Sequence, residues 1–399
     1  MKNLEKKARA YALKNAIAYD GKAQIGSVIS SLFHEKLKPE EVKKYIKEIN
    51  RIVEEVNKLT LEEQKIEFKK LENIISKRKG REGLPELPGA KKGGVIMRFA
   101  PSASGPLHIG HALTASLSYL FVKKYGGKFY VRIEDTNPEN IYPKAYEMIS
   151  EESKWLFDGF VEIIIQSDNM PTYYKYSENL LKIGAAYVCT CPQKKFKEYS
   201  DKMKDCPCRN ISIEENIQRW KKMLDKNGFN EGEAVLRFKS SMKDKNPAMR
   251  DFPLARINLH YHARQGNKYR VWPLMNLAVA VDDIETKMTH IIRAKDHRDN
   301  AERQKMIYKV LGKKIPWTAF LGRIKFTDME LSTTKMRKDI EAKKYSGWDD
   351  PRLPTIASLK KKGYKPKAFW NFAERIGLSE KDKVIDKKEF FTLLDHFNK

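Results

Sequence analysis

No stretch of the 399-residue chain holds about 18 consecutive apolar residues, so no membrane-spanning helix is expected. The N-terminus, Met1-Lys2-Asn3-Leu4-Glu5-Lys6-Lys7, is charged and lacks the apolar core of a secretory signal. Together these absences predict a cytoplasmic protein. Acid is in short supply: 52 Asp and Glu face 78 Lys and Arg, a formal net charge of +26. An excess of that size points to a polyanionic partner, nucleic acid or an acidic membrane surface, and no amphipathic anchor or lipidation signal favours the membrane. There is no internal repeat and no long low-complexity segment. There is no Gly-x-Gly-x-x-Gly loop after the first strand either, which argues against a dinucleotide site. Hydrophobic residues, at 41%, are enough for packed cores. The chain is too long for one core, so two to four domains are expected.

Cysteine is confined to one place. Cys189, Cys191, Cys206 and Cys208 form C-x-C, a gap of 14 residues, and C-x-C. In a chain expected to be cytosolic, clustered cysteine pairs read as metal ligands before disulfides. Four thiolates suit a closed, tetrahedral, structural zinc site.

Residues 98–111 read Arg-Phe-Ala-Pro-Ser-Ala-Ser-Gly-Pro-Leu-His-Ile-Gly-His. An apolar strand, Val95–Phe99, leads into a Pro/Ser/Gly loop and then a helix expected over Leu107–Tyr125. Two histidines and a bare glycine backbone stand in its first turn. Free N–H groups and the positive end of the helix dipole attract phosphate there, which suits a nucleoside triphosphate. A second strand, Lys128–Glu134, completes a βαβ unit of a Rossmann-like α/β fold. Its acidic end, Glu134-Asp135, is expected to face the ligand crevice.

The organisation expected along the chain is as follows. Residues 1–90 form an N-terminal helical module closed by a Gly/Pro-rich linker at Lys79–Ala90. Two stripes mark its helices, Leu4-Ala8-Tyr11-Ala12-Leu13 and Val42-Tyr45-Ile46-Ile49-Ile52-Val53, the second entered through Pro39. Residues 91–185 form the first half of the α/β domain, and residues 186–268 an inserted lobe carrying the cysteines. Residues 269–325 form the second half, with strands at Tyr269–Trp272, His290–Ala294 and Phe320–Ile324. Residues 326–399 begin with a small-polar basic loop, Leu331–Arg337, and continue as a mostly helical region.

Four segments then name a family. They are Arg98–His111; Arg132-Ile133-Glu134-Asp135-Thr136-Asn137-Pro138; Val281-Asp282-Asp283 with Ile292–His297; and Leu331-Ser332-Thr333-Thr334-Lys335. In this order the chain resembles the class I aminoacyl-tRNA synthetases, and among them the archaeal-type glutamyl-tRNA synthetases, over essentially its whole length. The resemblance implies a two-step ligase. Glutamate attacks the α-phosphate of ATP to give glutamyl-adenylate and pyrophosphate, and the glutamyl group passes to the 3′ end of tRNA(Glu). Whether tRNA(Gln) is a second acceptor is left open by the sequence. His108, Gly110 and His111 match the family's ATP-contacting positions. Lys335 matches the lysine of the mobile loop that steadies the phosphates, although Ser332 stands where a first lysine is usual. Arg98 and Arg293 match the residues that bind the two carboxylates of glutamate, Glu134 the one that binds the amino group, and Ser102 an assisting position.

Arg293 and the Pro101-Ser102-Ala103-Ser104 sequence favour glutamate over glutamine, because glutaminyl enzymes lack that arginine and carry a different loop. Met275 replaces a tyrosine that touches substrate in many relatives, so no role is carried to it. Magnesium is implied with ATP. The inserted lobe, with its zinc knuckle, is implied to reach the tRNA acceptor end, Lys194, Lys195, Lys197 and Arg209 surrounding the cysteines. An anticodon-reading β-barrel follows in archaeal-type relatives, so the resemblance leads us to expect it from a separate polypeptide or from a fuller form of this chain. Three other readings compete: one half of a split synthetase, a non-catalytic tRNA scaffold, and a short paralogue that glutamylates a modified tRNA base. The complete set His108, His111 and Lys335 argues against a catalytically dead chain in either of the first two, and the N-terminal helical module against the third.

Overall fold

The computed structural model describes residues 2–19, 21–33, 35, 37–75 and 83–399. They fall into two compact units, 1–82 and 83–399. Residues 79–82 of the expected linker lie outside the described residues, and 83–90 run without helix or strand. Among the described residues no helix is long and apolar enough to cross a membrane.

The first unit holds α1 (Lys2–Ala18), α2 (Ile25–Phe33), α3 (Val42–Lys58) and α4 (Leu61–Leu71). Ala8, Ala12, Leu13 and Ala16 of α1 pack with Val28 and Leu32 of α2 and with Ile49, Ile52, Val53 and Val56 of α3. Burial of these aliphatic side chains, rather than helix propensity, holds such short helices in place. Pro39–Glu41 is a separate 3-10 turn, so α3 begins at Val42 rather than at the proline. The stripes do not announce α4, which a Thr60–Glu63 capping box starts.

The second unit opens with β1 (Val95–Phe99), α5 (Ile109–Tyr125), β2 (Gly127–Ile133), α6 (Ala145–Leu156) and β3 (Glu162–Ile165). The strands β1, β2 and β3 pair in parallel. Next come α7 (Met170–Lys182), β4 (Ala186–Cys189), α8 (Gln193–Asp201), α9 (Ile213–Leu224), β5 (Val235–Phe238), β6 (Pro253–Ile257) and β7 (Val271–Pro273). The last three strands join β4 in an antiparallel sheet, order β4-β5-β6-β7. The expected strand at Tyr269–Trp272 is shifted to Val271–Pro273, and Pro273 is tolerated because β7 is an edge strand. The rest is α10 (Met275–Glu285), β8 (His290–Ala294), α11 (Arg298–Val310), β9 (Trp317–Leu321), β10 (Ile324–Phe326), α12 (Thr333–Glu341), α13 (Ile356–Lys361), α14 (Pro366–Ile376), β11 (Lys383–Ile385) and α15 (Lys387–Asn398).

Strands β8 and β9 pair in parallel. Thr289, just before β8, donates its amide to Ile96 O at 3.0 Å, and its hydroxyl accepts from the Ile96 amide at 2.8 Å. The parallel layer therefore continues from β1 to β8 on one side and to β2 on the other. The C-terminal ends of β1, β2 and β8 meet at this change of direction, where open α/β sheets place their ligands. Helix α5 lies against the layer with Ala112, Leu113, Ala115, Leu117, Phe121 and Val122 buried. At the β1–β2 contact, a β-carbon on Gly127 would stand 2.0 Å from Val95 O, and φ there is +136°, so only glycine fits.

Three local expectations are corrected. Helix α5 starts at Ile109, not Leu107, because residues 107–109 pair instead with residues 354–356: the Ile109 amide donates to Pro354 O at 2.9 Å and the Ile356 amide to Leu107 O at 3.0 Å. The single strand expected at Phe320–Ile324 is two, β9 and β10. Between them the chain passes under residues 379–382; a β-carbon on Gly322 would stand 2.2 Å from Lys381 O. The expected loop at Leu331–Arg337 is helical from Thr333, because Ser332 accepts from the Lys335 amide and caps α12.

The corner at residue 107 also depends on a buried acid. Glu152 of α6 accepts the Leu107 amide at 2.6 Å and also takes the Ala357 amide. Burial pushes its carboxyl up to about 8, against the pull of those two amides. An acid with a higher pKa folded than unfolded contributes stability that is fully present below its unfolded value of 4.5 and is lost as pH rises through about 8. Glu152→Gln mimics the neutral acid. Its melting temperature, measured by thermal denaturation, is expected to match the native chain near about pH 5 and to exceed it by several degrees near about pH 9. A difference that does not change with pH would contradict this.

Candidate active site

Two clefts meet at the start of α5. The first, about 310 Å³, is lined by Arg98, Glu134, Arg293, Met275, His297 and Gln304, among others. The second, about 420 Å³, is lined by His108, Gly110 and His111, by Leu321 and Ile324, and by the 373–383 stretch. His111, Thr114 and Ala294 line both, so the two spaces adjoin at His111.

The first cleft is floored by charge. Arg98 at the end of β1 donates Nε and Nη2 to the two oxygens of Asp283 at 2.9 and 3.1 Å. Arg132 of β2 reaches the same carboxylate at 2.5 Å and Glu134 at 3.1 Å, and its Nε lies 3.5 Å from Asp282. Burial alone would raise the Asp283 carboxyl, but Arg98 and Arg132 hold it well below the usual carboxylate range. Asp282 is pushed up to about 6 by burial, partly offset by Arg132 and by hydrogen bonds from Tyr173 and Gln166. Arg293 at the end of β8 is buried and drawn down to about 10 by burial and by neighbouring Arg98. Its Nη1 donates to Gln304 at 2.9 Å, and its Nε meets no acceptor among the described residues. Two buried guanidiniums opening on one cavity, one with an unpaired donor, form a site for an anion.

The histidines are stacked, ring centroids 3.7 Å apart and 16° from parallel. His108 is the N-cap of α5, and its Nδ1 faces the His111 amide at 3.4 Å. Burial draws His111 down to about 4; burial and His111 draw His108 well below its ordinary value. Both are therefore neutral at neutral pH and offer hydrogen bonds to the cleft rather than positive charge. A β-carbon on Gly110 would stand 3.0 Å from Leu331 Cδ1 and 3.2 Å from His108 Cε1, so a larger residue would have to push both side chains aside by a few tenths of an ångström.

The residues predicted from sequence are only partly brought together. Arg98, Glu134, Arg293 and His111 share the first cleft, and His108, Gly110 and His111 the second. Ser102 is exposed and does not line the first cleft; it bridges to Glu134 through the backbone, where the Ala103 amide donates to Glu134 O at 3.1 Å. Lys335 is exposed, ion-paired with Glu330, and lines a separate polar cleft with Asp328, Asp339 and Arg352. Its loop nevertheless touches the first motif, because Leu331 lines the nucleotide-sized cleft. No role was read from sequence for Asp283 as the shared anchor or for Arg132, and Gln304 and the lining at Ser379, Lys381 and Lys383 were missed altogether. Asp283 stood in one of the four family segments, but without a role.

The four cysteine sulfurs lie within 4.8 Å of one another, Cys189–Cys206 at 3.9 Å and Cys191–Cys208 at 3.8 Å. Zinc–sulfur bonds of about 2.3 Å in a tetrahedron set sulfurs about 3.8 Å apart, so the donor set fits zinc. Arg209 is not a free surface cation: it donates to Asp251 at 3.1 Å and to Ser240 O at 2.6 Å, bracing the knuckle.

Residues 94–396 match the family described as tRNA synthetases class I (E and Q), catalytic domain. A glutamate–tRNA ligase of Methanocaldococcus jannaschii is 45% identical over 395 residues, 98% of this chain and 70% of that protein. That of Methanosphaera stadtmanae is 42% identical over 395 residues, again 98% of this chain and 70% of the relative. A crystal structure of glutamate-tRNA synthetase from Elizabethkingia anophelis covers 75% of this chain and 69% of its own with a TM-score of 0.54; at 23% identity that likeness is one of fold. A match that takes in both clefts, the paired arginines and the stacked histidines places the chain in the class I tRNA synthetases that handle glutamate and glutamine.

Proposed function

We propose that this chain is a glutamate-tRNA ligase, using ATP to activate glutamate and passing the glutamyl group to the 3′ end of tRNA(Glu). The observation that carries this is the pair of buried arginines, Arg98 and Arg293, in a cleft that shares His111, Thr114 and Ala294 with the His108–His111 cleft. Arg98 and Arg293 take the two carboxylates of glutamate, and Glu134 takes the ammonium group, with the Pro101 carbonyl and Ala103 amide on either side of Ser102 holding the Glu134 backbone in place. An oxygen of the ionised α-carboxylate attacks the α-phosphorus of ATP, and the bond to the bridging oxygen breaks to release pyrophosphate. No general base is needed, so the protein's work is alignment and donation of hydrogen bonds to the phosphates. His108 and His111 donate to those oxygens, and Gly110 lets the nucleotide approach the backbone. Lys335 must leave Glu330 and swing toward the phosphates to complete the site. Magnesium would add positive charge to the triphosphate. The lining of the nucleotide cleft offers no carboxylate, so the ion would be held mainly by the phosphates themselves. In the second step a ribose hydroxyl of the terminal adenosine attacks the acyl carbon and AMP leaves.

Glutamate- and tRNA-dependent conversion of ATP to AMP and pyrophosphate tests this. ADP and phosphate as products, or a rate indifferent to glutamate, would refute it.

The lobe at 186–268 is read as the acceptor-end contact, ordered by zinc at Cys189, Cys191, Cys206 and Cys208. Metal analysis of the purified chain is expected to give about one zinc per chain. Cys206→Ser is expected to lose that metal and to weaken charging. A fully folded, metal-free protein with four reactive thiols would contradict the assignment.

A further inference from the structure

Arg98 and Arg293 face the same cleft but are held by partners of different charge. Arg98 is matched by the buried carboxylate of Asp283 through two hydrogen bonds. Arg293 is held by a neutral group, Oε1 of Gln304, at 2.9 Å. Gln304 is itself buried, and its Nε2 lies 3.5 Å from Oδ1 of Asn276, also neutral. Asp283 makes its hydrogen bonds with Arg98, through both oxygens, and with Arg132, through one. Glu134 is bonded to Arg132. The charged groups around Arg293 are Arg98 and Arg132, which repel it, and Asp283 and Glu134, which attract it from a distance. Its Nε has no acceptor among the described residues.

A buried cation tied to a neutral amide gains most from an anionic ligand and little from a neutral one. Glutamate and glutamine share the α-carboxylate and the ammonium group, so a preference between them is expressed only at the end of the side chain. We propose that Gln304 is a specificity-determining positioning residue: its neutral carboxamide orients the Arg293 guanidinium yet leaves the charge unmatched, so the cleft takes a side-chain carboxylate and rejects a carboxamide. This rests on the reading of the cleft as the glutamate site. Nothing in the sequence motifs marks Gln304, which lies on α11 outside all four segments.

The test uses the full chain in tRNA charging with labelled glutamate and labelled glutamine. Gln304→Glu keeps the shape and puts a carboxylate on Arg293. It is expected to raise the KM for glutamate about 10- to 100-fold, the worth of a charge-assisted hydrogen bond, with the KM for ATP unchanged. The preference for glutamate over glutamine should fall by a similar factor. Gln304→Met removes the acceptor but adds no charge; its KM for glutamate should rise only a few-fold, and the preference should persist. A Gln304→Glu chain with the native KM and preference would overturn the proposal. So would equal losses in both variants accompanied by a lower melting temperature and a raised KM for ATP, which mark a merely structural role. A native chain that charges neither amino acid would instead overturn the glutamate reading itself.

Discussion

Asp283→Ala is expected to lower the stability of the 83–399 unit by about 3–5 kcal/mol and to abolish charging. The carboxylate is buried and is the shared acceptor for Arg98 and Arg132. Its removal leaves two guanidiniums in the interior without their principal counter-ion, and that unpaired charge, not the lost contact, accounts for most of the penalty. The damage reaches function directly, because Arg98 loses the partner that fixes its direction into the cleft. Denaturant titration followed by tRNA charging measures both effects. The sign with pH also follows. Asp283 has a folded pKa below its ordinary 3.8, so the stability it contributes is fully present above about pH 4 and is lost as pH falls through the lower, folded value. The native chain should therefore lose more stability on acidification than Asp283→Asn does, which is opposite in direction to the effect expected at Glu152. A mutant with native stability and native charging would remove the anchor from the account.

His111→Ala is expected to slow adenylate formation by about 100- to 1000-fold while leaving tRNA binding within a few-fold of native. The residue lines both clefts, and in the proposed reading that is where the α-phosphate of ATP meets the carboxylate of glutamate. Because burial holds its imidazole near about 4, it is a neutral hydrogen-bond donor at working pH. The histidine pair should therefore impose no step on the pH–rate profile of adenylate formation between about pH 6 and 8. The neutral form also stabilises the fold. A histidine whose folded pKa is depressed contributes stability that is present above 6.5 and lost as pH falls toward about 4. Single-turnover adenylate formation and filter binding of tRNA separate the two effects. Equal losses in both would mean that the substitution disrupts folding and not chemistry.

What could be read from sequence was what lies close together along the chain. The His108–His111 pair, the loop that leads into it and the strand end that delivers Arg98 are all held in fourteen consecutive residues, so their chemistry is visible as a motif. The cysteine cluster is legible for the same reason, as two tight pairs in one short stretch. The partners that make the site work are distant. Arg98 meets Asp283 across 185 positions, and no periodicity or spacing announces that contact. The start of α5 was misplaced because Leu107 and His108 look like helix by composition, yet residues 354–356 recruit them into strand-like pairing. Gln304 reads as an ordinary polar position on an amphipathic helix; only its burial against Arg293 gives it a role. Lys335 was legible as a residue but not as a position, because its ion pair with Glu330 keeps it on a neighbouring cleft.

The central claim is that the cleft between Arg98, Glu134 and Arg293 selects glutamate for activation. The most direct measurement is competitive charging of tRNA by the native chain, with glutamate and glutamine present together and each carrying a different label. The account predicts that glutamate is esterified almost alone, with glutamine disfavoured by at least about 100-fold, the least expected where a buried arginine is left unpaired. Charging of the two amino acids at comparable rates, or of glutamine alone, would contradict it.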